Sequence, residues 1–347
     1  MTTYRQDPPN AVQVELVEGC SLSCQFCGVQ GIREKRGQYK FMTRKTAEHL
    51  VEMLRGAMAN DRWNPRIEFA MHGEPTVHPQ LIGMVRMFGE LSPRELILVS
   101  NGTGFVKNPD QFVSDLVEAG ITSVCLDQYD GCEFVPKFLS RYTGPTPVHN
   151  YDGDKAQKFR GASRSKPYIV VKRDVSHLTK PFDKLNTHCG AGGPPQPVNP
   201  AMNKRCAKPF RELSIRWDGN VALCCNDFRG IYKIGNIAEF SGLDDLWQCE
   251  GFNAARRMLL HYSREFTPCR WCDALSPRVG LLPDKYGKTT LPEPDAGCGR
   301  VIDSAIAGPS YTEPVLRGWE TSEPCVVELD VRRVTWQPLD KEKAPVV

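Results

Sequence analysis

No apolar run in this chain of 347 residues approaches the length needed to cross a bilayer. The opening "MTTYRQDPPN" also lacks the paired basic and apolar regions of an export signal. A cytoplasmic location without a membrane partner is the expectation. Positive charge is not concentrated anywhere. The net charge is +3, and no basic block of the kind a phosphate backbone requires is present, which argues against a nucleic-acid partner. No internal repeat is visible. What the chain does have is cysteine, fourteen in all. In a reducing compartment thiols point to metal binding or catalysis before disulfides.

The length allows two domains, or one large domain with an appendage. Through the first half, strand and helix patterns alternate. Strands are expected at 11–18, 66–71, 95–100, 121–127 and 167–174, and helices at 43–58, 79–91 and 109–120. Thr43 is placed to cap the first helix, whose apolar residues Ala47, Leu50, Val51, Leu54 and Met58 share one face. Such repetition predicts parallel β-structure with right-handed crossovers, as an open sheet or a barrel. A polar stretch at 128–165 interrupts it, and "CGAGGPPQPVNP" (189–200) reads as a linker or long loop. Beyond it, 211–225 predicts a β-hairpin turning at Asp218 and Gly219, and 243–261 a helical segment. Nine of the 27 prolines fall after Leu275, so irregular structure is expected there, with one possible strand at 325–336.

Two groups of cysteines stand out. "CSLSCQFC" sets Cys20, Cys24 and Cys27 in one loop after the first strand, with Phe26 as an apolar shield. Tetrahedral zinc wants a fourth protein ligand, and no Cys or His follows at finger-like spacing. Three thiolates fit a [4Fe–4S] cluster that keeps one iron open. The second group is Cys206, Cys224, Cys269 and Cys272, a donor set that suits either zinc or a fully ligated [4Fe–4S] cluster. Cys224 and Cys225 are expected to point to opposite faces of a strand, leaving Cys225 to pack.

The first loop resembles the signature of the radical S-adenosylmethionine (SAM) enzymes over about residues 11–190. "HGEP" (72–75) is similar to that family's motif for the SAM amino group, with Glu74 as anionic acceptor and Gly73 allowing close backbone approach. "SNG" (100–102) matches a further element near the methionine moiety, implying Ser100 and Asn101, and Cys125 in "VCLD" stands where the family often has a ribose-contacting Ser. The second group, with Gly219 and Cys224 in a G-x4-C spacing, resembles the SPASM or twitch auxiliary domain. The implied fold is α/β: a partial (β/α)6 TIM-like barrel at 1–190, an auxiliary iron–sulfur domain at 200–275 and a Pro-rich extension at 276–347. The implied cofactors are SAM and two [4Fe–4S] clusters. The implied partner is an external one-electron donor such as a flavodoxin or ferredoxin.

In that family the cofactor supplies a 5′-deoxyadenosyl radical and the protein positions the C–H it attacks. Among such enzymes the combination resembles the aminoglycoside epimerases, of the type relating neomycin C to neomycin B, which need a spare thiol to return hydrogen to the inverted carbon. Cys249, in "LWQCEGF" beside an expected helix break at Gly251, is the best-placed spare thiol, with Cys125 as its rival. A polycationic aminoglycoside calls for local acids, and Asp127, Asp130, Glu133, Asp227 and Glu250 are the candidates. Three other readings stay open: a dehydrogenase of an amino-cyclitol alcohol, a peptide maturase, and a zinc-stabilised binding protein. Against the maturase, no N-terminal segment resembles a leader-peptide-binding module.

Overall fold

The alternation of strand and helix builds one continuous sheet. The computed structural model describes residues 6–24, 26–32, 38–59, 62–129, 131–151, 166–172, 188–192, 206–260 and 264–272. Within them lie eleven strands: β1 (Ala11–Val14), β2 (Val17–Glu18), β3 (Lys40–Phe41), β4 (Arg66–Phe69), β5 (Glu95–Ser100), β6 (Ser123–Asp127), β7 (Val148–Tyr151), β8 (Tyr168–Lys172), β9 (Glu212–Ile215), β10 (Asn220–Ala222) and β11 (Gly235–Asn236). The helices are α1 (Arg44–Met58), α2 (Leu81–Gly89), α3 (Pro109–Glu118), α4 (Phe134–Arg141), α5 (Lys208–Arg211), α6 (Leu243–Gln248) and α7 (Glu250–Leu260). Nine strands run in the order β11-β10-β9-β1-β4-β5-β6-β8-β7, and β2 pairs with β3 separately. Pairing is parallel from β9 through β7 and antiparallel at the β9–β10–β11 edge. The hairpin at the auxiliary segment therefore extends the barrel sheet, with Ala11 in register with Glu212.

Sequence and structure agree on local causes. Thr43 caps α1 by accepting from the Thr46 amide, and Ala47, Leu50, Val51 and Leu54 are buried in the core. Burying a leucine contributes about 2 kcal/mol, so this stripe, more than helix propensity, holds α1 on the sheet. The covered face of the sheet carries Val12, Val14, Ile67, Phe69, Leu96, Leu98, Val124, Leu126, Leu213 and Ile215. Several expectations are trimmed. α2 begins at Leu81 rather than Pro79, because His78 Nδ1 accepts the Gln80 amide and forms a turn first. The strand expected at 11–18 divides into β1 and β2, whose partners lie in different sheets. The helix at 243–261 breaks at Cys249, not Gly251, where Cys249 takes an extended backbone (φ −62, ψ 157). β10 ends at Ala222, so Cys224 and Cys225 sit in a turn and not on a strand. The strand expected at 325–336 and the Pro-rich extension lie outside the described residues. Among the described residues no helix is long and apolar enough to cross a membrane.

Candidate iron–sulfur and radical site

The loop carrying Cys20, Cys24 and Cys27 leaves the sheet just after β2. A turn bond from the Cys27 amide to the Cys24 carbonyl (3.0 Å) folds it back, and Gly28–Gly31 continue as a 3-10 turn. The Cys20 thiol accepts from the Leu22 amide and from Asn101 Nδ2, each at 3.4 Å. Burial, then the Glu74 charge, push the Cys20 thiol up to about 12. Tyr129 is raised too, first by burial and then by the charges of Asp127, Cys24, Cys27 and Cys20. Its ring lies 5.7 Å from that of Phe26. Thiolates crowded in a dry pocket are disfavoured until a cationic centre neutralises them, so this donor set fits an iron–sulfur cluster. Among the described residues no group of three or more His, Cys, Asp or Glu closes to the spacing of a single metal ion. A cubane seats each thiolate on a different iron and needs a wider arrangement than a lone zinc.

The "HGEP" turn is locked to this loop by backbone. Gly19 and Gly73 form a parallel bridge, the Glu74 amide donates to the Gly19 carbonyl (2.9 Å), and a Cβ on Gly73 would lie 2.0 Å from Val17 O. The Glu74 carboxylate is buried and surrounded by protein donors. Oε1 accepts from Thr76 N, Thr76 Oγ1 and Ser100 Oγ, and Oε2 from Asn101 N at 2.7 Å. Glu74 thus ties two strand-end turns together, and Asn101 carries the link on to Cys20 and to Ser21 Oγ. Next to it, His72 Nε2 donates to the Cys225 carbonyl (3.0 Å) while Nδ1 stands 2.7 Å from Glu15 Oε1. Both side chains are fully buried.

The sheet face opposite the core is mixed, with Ile97, Val99 and Val170 beside polar and charged side chains that include Arg66 and Lys172. Alternation places Gln13, Glu68, Ser123, Cys125, Asp127, Tyr168, Glu212 and Ser214 on it. Gln13 Nε2 donates to Glu68 Oε2 (3.1 Å), and Lys208 Nζ lies 3.1 Å from both Glu212 Oε2 and Cys225 Sγ. Burial, with the neighbouring Glu212 carboxylate, pushes Glu68 above the usual carboxylate range despite Arg66. The Cys125 thiol donates to Asp127 Oδ1 at 3.7 Å. Sequence reasoning missed Glu15, Glu68 and Glu212. The signal was present: parallel strands covered on both faces read as continuous apolar runs, whereas "AVQVELVE", "RIEF" and "ELSI" alternate.

At the second site Cys224, Cys269 and Cys272 are buried and Cys206 is half-buried. Cys269 neighbours Cys272 and Cys206, Cys224 neighbours Cys269 and Cys272, and burial leads in raising both Cys224 and Cys269 well above the ordinary thiol value. Arg264, itself buried, donates to the Cys272 carbonyl (3.4 Å). Cys225 turns the other way, toward Lys208 and Glu212. Of the acids singled out from sequence, Asp127 faces the barrel lumen. Asp227 is buried and accepts from the Ile231 and Tyr232 amides (3.0 Å each), closing a turn. Glu133 pairs with Lys137 at 2.6 Å and Glu250 pairs with Arg257. Asp130 lies outside the described residues. The Cys249 thiol receives the Gly251 and Phe252 amides at the start of α7, and it neighbours Arg256, Asp245 and Tyr232.

Comparison with known proteins defines the class first. Residues 206–273 match the SPASM family, described as an iron–sulfur cluster-binding domain. The chain as a whole has a TIM-like α/β fold with that segment attached. Among solved structures it is similar to BtrN in complex with AdoMet and 2-DOIA, with 24% identity over 78% of this chain and 95% of BtrN and a TM-score of 0.57. It is also similar to BtrN in an open conformation, with 19% identity over 77% and 92% of the two chains and a TM-score of 0.51. No curated protein matches the chain.

Proposed function

We propose that the protein is a radical SAM enzyme that abstracts hydrogen from a C–H bond of an amine-bearing sugar or cyclitol, as an aminoglycoside epimerase. The observation that carries this reading is the lumen: carboxylates at Glu68, Asp127 and Glu212 share a face with the Cys125 thiol and lead through Tyr129 to the three-cysteine loop. Cys20, Cys24 and Cys27 would hold one [4Fe–4S] cluster, and Cys206, Cys224, Cys269 and Cys272 an auxiliary one. Bound SAM with the reduced first cluster supplies the radical. An external one-electron donor such as a flavodoxin or ferredoxin provides the electron. The chain's own residues orient the substrate, and buried carboxylates favour its ammonium groups.

Epimerisation requires a thiol on the far face of the substrate. Support for Cys125 comes from its place in the lumen. Cys249, favoured by sequence, caps a helix on the auxiliary side, and the pair of variants Cys125→Ala and Cys249→Ala separates them. The donor variant should still cleave SAM but return less than a tenth of the inverted product.

A second reading, a dehydrogenase of an amino-cyclitol, is favoured by the likeness to BtrN, whose structure holds AdoMet and 2-DOIA. Turnover in deuterium oxide with a panel of aminoglycosides decides. One solvent deuterium at an inverted carbon supports the epimerase, and a ketone product refutes it.

A further inference from the structure

The auxiliary site contains one thiol more than a cubane needs. Cys189 precedes the SPASM segment by seventeen residues in sequence, yet it packs beside Cys272, Cys224 and Cys269. It is 5% exposed, as buried as the three cysteines it meets. Its backbone is left-handed (φ 54, ψ 38), a conformation that costs a non-glycine residue about 1–2 kcal/mol and persists where surroundings impose it. The segment holding it is pinned at both ends. A Cβ on Gly190 would lie 3.6 Å from Trp271 Cβ, next to the ligand Cys272, so the chain runs against the "CRWC" turn. At the other end a Cβ on Gly192 would lie 2.7 Å from Phe26 O and 2.8 Å from Gly28 N, and one on Gly31 would lie 2.3 Å from Ala191 O. Residues 188–192 thus span from the second cysteine group to the three-cysteine loop.

Cys224, Cys269 and Cys272 are common to any arrangement, because each meets Cys189 and they adjoin one another. The fourth iron corner has two claimants. Cys206, half-buried, stands beside Cys269, and Cys189 stands on the Cys272 side.

Given the two-cluster reading above, on which this rests, we propose that Cys189 is a fifth, exchangeable thiolate ligand of the auxiliary iron–sulfur cluster, able to take the iron served by Cys206. The exchange balances without a redox partner. One iron–sulfur bond to Cys206 breaks, one to Cys189 forms, and the Cys189 thiol proton passes to the released Cys206 thiolate. Two ligation states at one corner give the cluster two environments, and thiolate surroundings tune cluster potential.

Anaerobic reconstitution of the full chain, with iron and sulfide analysis and EPR of the reduced protein, tests this. Two clusters correspond to about eight irons per chain. The wild type, Cys189→Ser and Cys206→Ser are each expected to hold about eight irons, with the auxiliary EPR signal shifted in Cys206→Ser. The double variant keeps three thiolates, as many as the N-terminal loop offers, so its auxiliary cluster should gain an open iron: added cyanide should shift its auxiliary EPR signal and leave that of Cys206→Ser unmoved, with the signal of the N-terminal cluster kept as proof of folding. If Cys206→Ser alone falls to about four irons, or cyanide shifts its auxiliary signal as it does that of the double variant, the proposal is overturned. A wild-type count of about four overturns the two-cluster reading itself and the proposal with it, so the two failures are told apart. If the double variant does not fold, Cys206→Ser still decides.

Discussion

Glu74 shows how much of a side chain's setting a motif leaves out. "HGEP" pointed to a carboxylate awaiting an ammonium group, while the structure surrounds that carboxylate with Thr76, Ser100 and the Asn101 amide. Those donors were illegible because Ser100 and Asn101 come twenty-six and twenty-seven residues later and meet Glu74 only through parallel pairing of β4 and β5. Glu74→Gln keeps the shape but turns an NH2 group toward an existing donor. A buried donor left unsatisfied costs about 1–3 kcal/mol, so the urea midpoint should fall correspondingly with the m-value unchanged. An unchanged midpoint would show that these turns are held by something else. Gly73 was read correctly as a point of close approach, although its neighbour is the chain's own Val17 carbonyl.

For elements, the informative case is the break between α6 and α7. Sequence periodicity gave a helical segment with a bend nearby, and the residue at the bend proved to be the cysteine itself. Its thiol receives the first amides of α7, where a side-chain acceptor is worth about 1 kcal/mol. Cys249→Ser should therefore match the wild type in thermal stability, and Cys249→Ala should lose about 1 kcal/mol. If Cys249 also delivers hydrogen, the serine variant is stable yet cannot epimerise. If it only caps, the serine variant retains product formation, and comparing melting temperature with product stereochemistry distinguishes the two. Most α and β elements of the barrel were legible because their apolar spacing is local. The lumen acids were missed although their strands alternate, since an alternating strand reads equally well as one with a solvent face.

On the scale of the molecule, the auxiliary segment and the barrel share a sheet and an ionic clamp. Arg216, following β9, bonds Glu18 of β2 and approaches Glu15, and Lys40 of β3 pairs with Glu18 at 2.7 Å. Burial alone would raise Glu18, but the Lys40 and Arg216 partners outweigh it and hold the carboxyl below its usual value. A folded-state value below the unfolded one stabilises the protein above about pH 4.3 and loses that stability as pH falls through the folded-state value. Melting temperatures measured from pH 7 to 3 should therefore drop at the acidic end. Arg216→Gln should flatten part of that drop and lower stability at pH 7 by about 2 kcal/mol, the worth of a charge-assisted hydrogen bond, since Lys40 still pairs with Glu18. A parallel pH profile for the variant would count against the clamp. Nothing local announces the β1–β9 pairing, which joins Ala11 to Glu212, so the sequence reads as two units where the sheet is one.

That pairing also constrains the order of assembly during synthesis. β1 precedes β9 in the chain, and the edge that pairs Ala11 with Glu212 waits until everything between them has been made. Contacts so distant in sequence form late and slowly. The cysteine loop beyond β2 consequently hangs from an unfinished edge until β9 is made. Iron loaded before β9 docks would enter a half-walled pocket.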